Sequence, residues 1–136
     1  MPSTIRAAVC RAFGAPLEIE TLTLRDPGPG EIEVEIEAVA ICHSDISYME
    51  GAWGGALPAV YGHEAAGRIT ALGEGTGQRS LGERVLITLI RSCGTCPDCA
   101  GGRPVHCGAK GAAAPKLTDV TGAPVHAAME CGAFAE

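Results

Sequence analysis

Residues 31–40 read EIEVEIEAVA. Ile32, Val34, Ile36 and Ala38 alternate with Glu31, Glu33, Glu35 and Glu37, and a two-residue period belongs to a strand with one face on a core and one in water. The aliphatic side chains are expected inside, and the four carboxylates are expected to form a solvated face with no chemistry. Just upstream, RDPGPGE at 25–31 carries Pro27, Gly28, Pro29 and Gly30, through which no regular element can run. LEIETLTL at 17–24 reads as an earlier strand. Downstream comes ICHSDISYMEG, where Ser44 or Asp45 is expected to cap a short helix ending at Gly51. GAWGGALPAVYGHE reads as a loop punctuated by glycine and proline, and AAGRITALGEG and GERVLITLI as two more strands. The pattern predicts a mainly β fold of short strands with one or two short helices, arranged as a partly closed barrel.

Composition narrows the function classes. The 136 residues suit one domain, and with 46% hydrophobic but only 4% aromatic residues its core must be aliphatic. The net charge is −6 and the ten Lys and Arg form no basic run, which argues against a nucleic-acid partner. The apolar run at 85–90 is far short of the roughly 20 residues of a spanning helix. The apolar residues between Arg6 and Arg11 are too few for a signal-peptide core. No membrane association is expected, and a cytoplasmic, reducing setting is. In such a setting clustered cysteines bind metal more often than they pair.

That matters for SCGTCPDCAGGRPVHC at 92–107, which holds Cys93, Cys96, Cys99 and Cys107, four of the chain's seven cysteines. The spacing C-x2-C-x2-C-x7-C lets a tight turn aim successive thiolates at one point. Four sulfurs suit a closed tetrahedral zinc site that ties down a lobe, about 91–110, too small for its own core. Two disulfides would use the same residues but conflict with the reducing setting. An iron–sulfur cluster shares the C-x2-C-x2-C start, but there the fourth cysteine follows after three residues and precedes proline. His106, beside Cys107, is expected to be a solvated imidazole. Cys10 and Cys131 are expected to be ordinary buried thiols.

Cys42 and His63 stand apart from that cluster. Both fall at element ends, with His43, Ser44 and Asp45 after the first and Glu64 after the second. Ionisable groups on loops at strand ends are where catalytic groups usually lie.

ICHSD, GHEAAG and the four-cysteine spacing, in that order, resemble the zinc-containing alcohol dehydrogenases of the medium-chain dehydrogenase/reductase superfamily. The resemblance covers nearly the whole chain and implies a GroES-like catalytic domain across 1–136. It implies that Cys42 and His63 are two of three protein ligands of a catalytic zinc, with Glu64 able to approach the metal. It also implies that Ser44 takes the proton of a zinc-bound alcohol, that Asp45 orients a ligating imidazole, and that His43 lies near the cofactor pyrophosphate. Cys93, Cys96, Cys99 and Cys107 match the structural zinc lobe. The implied reaction oxidises a small alcohol to an aldehyde or ketone by hydride transfer to NAD or NADP from the zinc-bound alkoxide. Tyr48, Trp53 and Leu57 would line the substrate side or pack in the core. The full-length protein is expected to be a homodimer or homotetramer.

Two departures stand out. Ser47 occupies a position where many relatives carry a relay histidine. No G-x-G-x-x-G occurs, and the third ligand and the nucleotide-binding domain would lie beyond GAFAE, so the chain alone is expected to be inactive. The rival functional class is a zinc-stabilised, non-catalytic interaction module, which would need the four cysteines but not Cys42, His63 and Glu64 together.

Overall fold

Strands account for most of the regular structure in a computed structural model of the chain, which describes residues 1–89, 92–108 and 117–127 and the backbone of 132–135. In chain order they are β1 (Ser3–Cys10), β2 (Glu18–Leu24), β3 (Ile32–Val39), β4 (Ala59–Val60), β5 (Ala65–Leu72), β6 (Arg84–Thr88), β7 (Leu117–Thr118), β8 (Pro124–Ala127) and β9 (Gly132–Ala135). Two short helices, α1 (His43–Met49) and α2 (Pro97–Ala100), and a 3-10 turn at Pro104–His106 complete the set. Among the described residues no helix is long and apolar enough to cross a membrane.

The strands form two sheets. One closes into a ring in the order β1-β2-β7-β8-β4, and the other is open, in the order β3-β5-β6-β9. The ring closes through the two-residue strand β4, which pairs antiparallel with the end of β1 and parallel with β8. The ring's core is wholly aliphatic, as the scarcity of aromatics requires: Val9, Leu22, Leu117 and Val125 are buried, with Ile5, Ala7, Leu24 and Val60 packed against them. Among the described residues, Ile69 and Val85 are the buried side chains of the open sheet. The turn at 25–31 docks against the end of β5, where Gly30 N–H donates to the Glu74 carbonyl at 2.7 Å and Arg25 pairs with Glu31 at 2.8 Å.

Three expectations need correction. First, β3 does not keep one aliphatic face in the core. Its ladder with β5 slips between Glu33 and Val34 and again between Ile36 and Ala38. The first slip leaves Thr70 of β5 unopposed and the second Glu37 of β3, so on β3 only the residues after Glu37 change face. Ile32 and Val34 end half-buried, while Ile36 is 49% exposed and Val39 62%. Nor is the glutamate row merely solvated. Glu33 accepts hydrogen bonds from the Ser3 and Thr70 hydroxyls, and Glu37 faces Arg68 at 2.9 Å and Arg84 at 3.5 Å. Second, the N-cap residue of α1 is Cys42, not Ser44 or Asp45; Asp45 takes part from the third helical position, where its carboxylate accepts the Cys42 N–H, and the helix runs to Met49 with Glu50 as its C-cap. Third, the loop at 51–64 contains β4, a strand too short to leave a periodic signal. Ile90 and Cys131 lie outside the described residues, as do Arg91, Lys110 and Ala109 at the margins of the cysteine lobe.

Gly67 shows how closely β3 and β5 approach. A Cβ there would overlap the Glu35 carbonyl oxygen and press on Val34 Cγ1, whereas a Cβ at Gly77 would meet nothing. Gly67→Ala should therefore destabilise the chain by about 1–3 kcal/mol. Gly77→Ala should be neutral or stabilising by roughly 0.4–1 kcal/mol. Urea unfolding at unchanged m-value measures both, and equal midpoints for the two variants would contradict the close approach.

Candidate metal centres

The cysteine lobe is built by local backbone geometry. Gly94 and Gly102 hold φ of +77° and +78°, a region that side-chain-bearing residues avoid, and Pro97 opens α2 at a position where its missing N–H costs nothing. The turns aim N–H groups at sulfur. Cys93 Sγ accepts from Cys96 N–H at 3.2 Å and Thr95 N–H at 3.4 Å, Cys107 Sγ accepts from Cys93 N–H at 3.3 Å, and Cys96 Sγ accepts from Cys99 N–H at 3.5 Å. The four sulfurs lie within 4.8 Å of one another and can hold a metal ion. Cys96 and Cys107 sulfurs are 4.0 Å apart and all four thiols are free. A disulfide needs about 2.05 Å. Sulfurs at the corners of a tetrahedron with metal bonds of about 2.3 Å stand about 3.8 Å apart. His106 is exposed on the 3-10 turn.

The same hydrogen bonds set the thiol acidities. Donation from the Thr95 N–H, the Thr95 hydroxyl and the Cys96 N–H pulls Cys93 down to about 6. The Cys99 N–H lowers Cys96 as well. Burial pushes Cys99 the other way, to about 11.

The second centre is assembled by the open sheet. In the antiparallel pairing of β3 and β5, Val39 faces Ala65, and beyond the ladder Ala40 N–H donates to the Glu64 carbonyl at 2.8 Å. The chain leaving β3 and the chain entering β5 therefore run side by side. This brings Cys42, His63 and Glu64 together with their ligand atoms within 4.8 Å of one another. Cys42 is half-buried and Glu64 exposed, while His63 is only 4% exposed. The backbone before His63 turns at Gly62, whose φ of +134° suits glycine alone.

Asp45 links the two sides. Its Oδ2 accepts the Cys42 N–H at 2.9 Å, and its Oδ1 faces His63 Nδ1 at 3.3 Å, so the other ring nitrogen, Nε2, is left toward Glu64 Oε1 at 3.4 Å. A carboxylate beside Nδ1 favours the proton there and leaves the Nε2 lone pair free for a metal. A capping role for Asp45 was expected from the sequence, but it acts from the third helical residue and not as the N-cap residue itself. The available signal was the C-x-x-D spacing, which places an acceptor at the third helical residue, where a capping-box carboxylate stands.

Among the described residues, the buried side-chain N and O atoms without a hydrogen-bond partner are Arg25 Nε, Ser44 Oγ, Asp45 Oδ1 and His63 Nδ1. All but the first belong to this centre. Asp45 Oδ1 and His63 Nδ1 face each other at 3.3 Å, which leaves Ser44 Oγ as the one of the three with no partner of either kind, and a buried hydroxyl is normally satisfied. The donor set of one thiol, one imidazole nitrogen and one carboxylate fits zinc. His43 is exposed at the first residue of α1, and Ser47 is half-buried one turn further on.

Residues 28–136 match the family described as the alcohol dehydrogenase GroES-like domain. The chain is 41% identical over 106 residues to an alcohol dehydrogenase of Moraxella sp. (strain TAE123), an alignment covering 76% of this chain and 31% of that protein. In structure it resembles an alcohol dehydrogenase zinc-binding domain protein from Burkholderia ambifaria, with a TM-score of 0.84 and 34% identity over 93% of this chain and 36% of the other. It also resembles a NAD-dependent alcohol dehydrogenase, with a TM-score of 0.68 and 31% identity over 97% of this chain and 38% of the other. The closed ring and the two donor clusters thus define a GroES-like domain of the zinc alcohol dehydrogenase type. The chain belongs to the alcohol dehydrogenase GroES-like domain family. It spans about a third of the length of the curated relatives it matches.

The acidity order of the lobe can be tested directly. In metal-stripped protein, alkylation of Cys93 should reach half its limiting rate near pH 6 and that of Cys99 only near pH 11, because the thiolate reacts and its population rises with pH through each value. Mass spectrometry of labelled peptides measures both. Cys99 labelling as fast as Cys93 at neutral pH would contradict the hydrogen-bond assignment.

Proposed function

We propose that this chain is the N-terminal catalytic part of a zinc-dependent alcohol dehydrogenase, which oxidises a small alcohol to an aldehyde or ketone by hydride transfer to NAD or NADP. The observation that carries the reading is the convergence of Cys42, His63 and Glu64 beside the facing Asp45–His63 pair and the buried, unpartnered Ser44 hydroxyl. Cys42 Sγ and His63 Nε2 would hold the catalytic zinc. Zinc, when bound, supplies Lewis-acid polarisation that lowers the pKa of an alcohol hydroxyl.

The chain's own residues account for the rest. Asp45 keeps the proton on His63 Nδ1 and so fixes the ring. Ser44 Oγ is buried and unpaired, and it relays the alcohol proton, passing its own hydroxyl proton on to water as it takes up the alcohol's. Glu64 stands 3.4 Å from His63 Nε2, close enough that its carboxylate would serve as a further ligand for the metal. His43, exposed at the start of α1, meets the cofactor phosphates. Cys93, Cys96, Cys99 and Cys107 would hold a second, structural zinc with no position open to substrate. A cytoplasmic, reducing setting keeps those thiols unpaired.

Metal content separates the two centres. Purified protein should keep one tightly held zinc, at the four thiolates, and bind a second more weakly. Cys42→Ser and His63→Ala should abolish only the weaker site, and Cys99→Ser only the tighter one. Elemental analysis after dialysis against a mild chelator reads this out, and two equally tight zincs would show the second site to be more complete than proposed. The chain alone should give no NAD(P)-dependent turnover. Joined to a nucleotide-binding domain it should oxidise alcohols, and Ser44→Ala should then lower kcat by roughly 10²–10⁴ with zinc content unchanged. Robust turnover by the chain alone, or an undiminished rate in Ser44→Ala, would contradict these assignments.

A further inference from the structure

The cysteine lobe carries a second chemistry besides metal binding, because sulfurs that converge on a metal can also pair with one another. Cys93, Cys96, Cys99 and Cys107 are all half-buried, within reach of a small solute, whereas Cys10 of β1 is fully buried. The four are held differently. Cys93 is tied to its own turn, its Sγ accepting the Cys96 N–H at 3.2 Å, the Thr95 N–H at 3.4 Å and the Thr95 hydroxyl at 3.6 Å. Cys99 lies within α2, the helix that Cys96 caps. Cys96 and Cys107 belong to different elements, the start of α2 and the end of the 3-10 turn, and their sulfurs stand 4.0 Å apart. Between those elements runs Gly102, at φ of +78°, with nothing within 4 Å of where a Cβ would stand.

We infer that the lobe is a hydroperoxide-sensitive switch, in which a reversible disulfide between Cys96 and Cys107 displaces the bound metal. The inference rests on the metal-binding reading of the four thiolates and adds their regulation. One of the two thiolates attacks a peroxide oxygen, the O–O bond breaks, hydroxide leaves and the sulfur becomes a sulfenic acid. The other thiolate attacks that sulfur, the S–S bond forms and a second hydroxide leaves. Two electrons have then passed from the two sulfurs to the peroxide. Cys93 and Cys99 alone remain as ligands, and two thiolates do not close a tetrahedral zinc site. The bond requires the sulfurs to move from 4.0 Å to about 2.05 Å, a closure that the open turn at Gly102 accommodates. None of the residues 92–108 belongs to the aliphatic core, so the ring and the open sheet keep their packing when the lobe releases its metal.

Purified chain, its weaker centre emptied by dialysis against a mild chelator, is treated with hydrogen peroxide while a chromophoric indicator follows zinc release. The lobe zinc should be released together with the loss of two lobe thiols. Differential alkylation before and after reduction, read by tandem mass spectrometry, should place both at Cys96 and Cys107. A phosphine reductant with added zinc should restore the thiols and the metal, and the far-ultraviolet circular dichroism of the ring and sheet should persist throughout. In metal-stripped protein, Cys96→Ser should slow peroxide-driven loss of the Cys107 thiol at least roughly tenfold. Zinc retained through the treatment, a bond between any other two lobe cysteines, oxidation that the phosphine does not reverse, or an unslowed Cys107 in Cys96→Ser would each overturn the switch. A chain that holds no lobe zinc before peroxide is added would overturn the metal-binding reading with it, which distinguishes that failure from failure of the switch alone.

Discussion

Everything in the candidate catalytic centre turns on the Asp45 carboxylate, which is 6% exposed and faces two elements at once. With one oxygen it holds the backbone of Cys42, and with the other it faces the ring of His63. A buried carboxylate is costly unless charge or hydrogen bonds compensate it, so these partners determine whether the local fold is tolerable at all. The antiparallel ladder of β3 and β5 delivers both elements to it. Sheet register sets the distance between the two donors, and Asp45 sets how each is oriented. Neither alone would produce a thiol and an imidazole nitrogen aimed at common ground.

The cysteine lobe follows a different logic. Its sulfurs converge through a few tight turns and N–H to sulfur hydrogen bonds, all within one short segment. None of the residues 92–108 joins the buried aliphatic core. A bound metal would supply the cohesion that such a segment lacks, whereas the centre at His63 inherits its rigidity from the sheet.

This contrast explains what could be read from the sequence. The four-cysteine site was legible because its geometry is local, so spacing alone implied convergence. The strands β2, β3, β5 and β6 were legible from period and turn residues. Cys42 and His63 were singled out by their setting at element ends and by family resemblance, but their meeting depends on a long-range pairing that no local pattern encodes. The two slips between β3 and β5 were invisible for the same reason, and the simple division into aliphatic and carboxylate faces does not hold: Ile36 and Val39 end exposed. The closing strand β4 is two residues long, too short for periodicity, and the cap on α1 is a cysteine where serine or aspartate is the usual choice.

The central claim is that the chain encodes two distinct zinc environments, one of sulfur alone and one of mixed donors. Anomalous diffraction at the zinc edge from metal-loaded crystals tests it most directly. Two peaks should appear, one equidistant from the sulfurs of Cys93, Cys96, Cys99 and Cys107 and one between Cys42 Sγ and His63 Nε2. Sulfur–sulfur bonds within the lobe, or an imidazole of His63 turned away from Cys42, would contradict it.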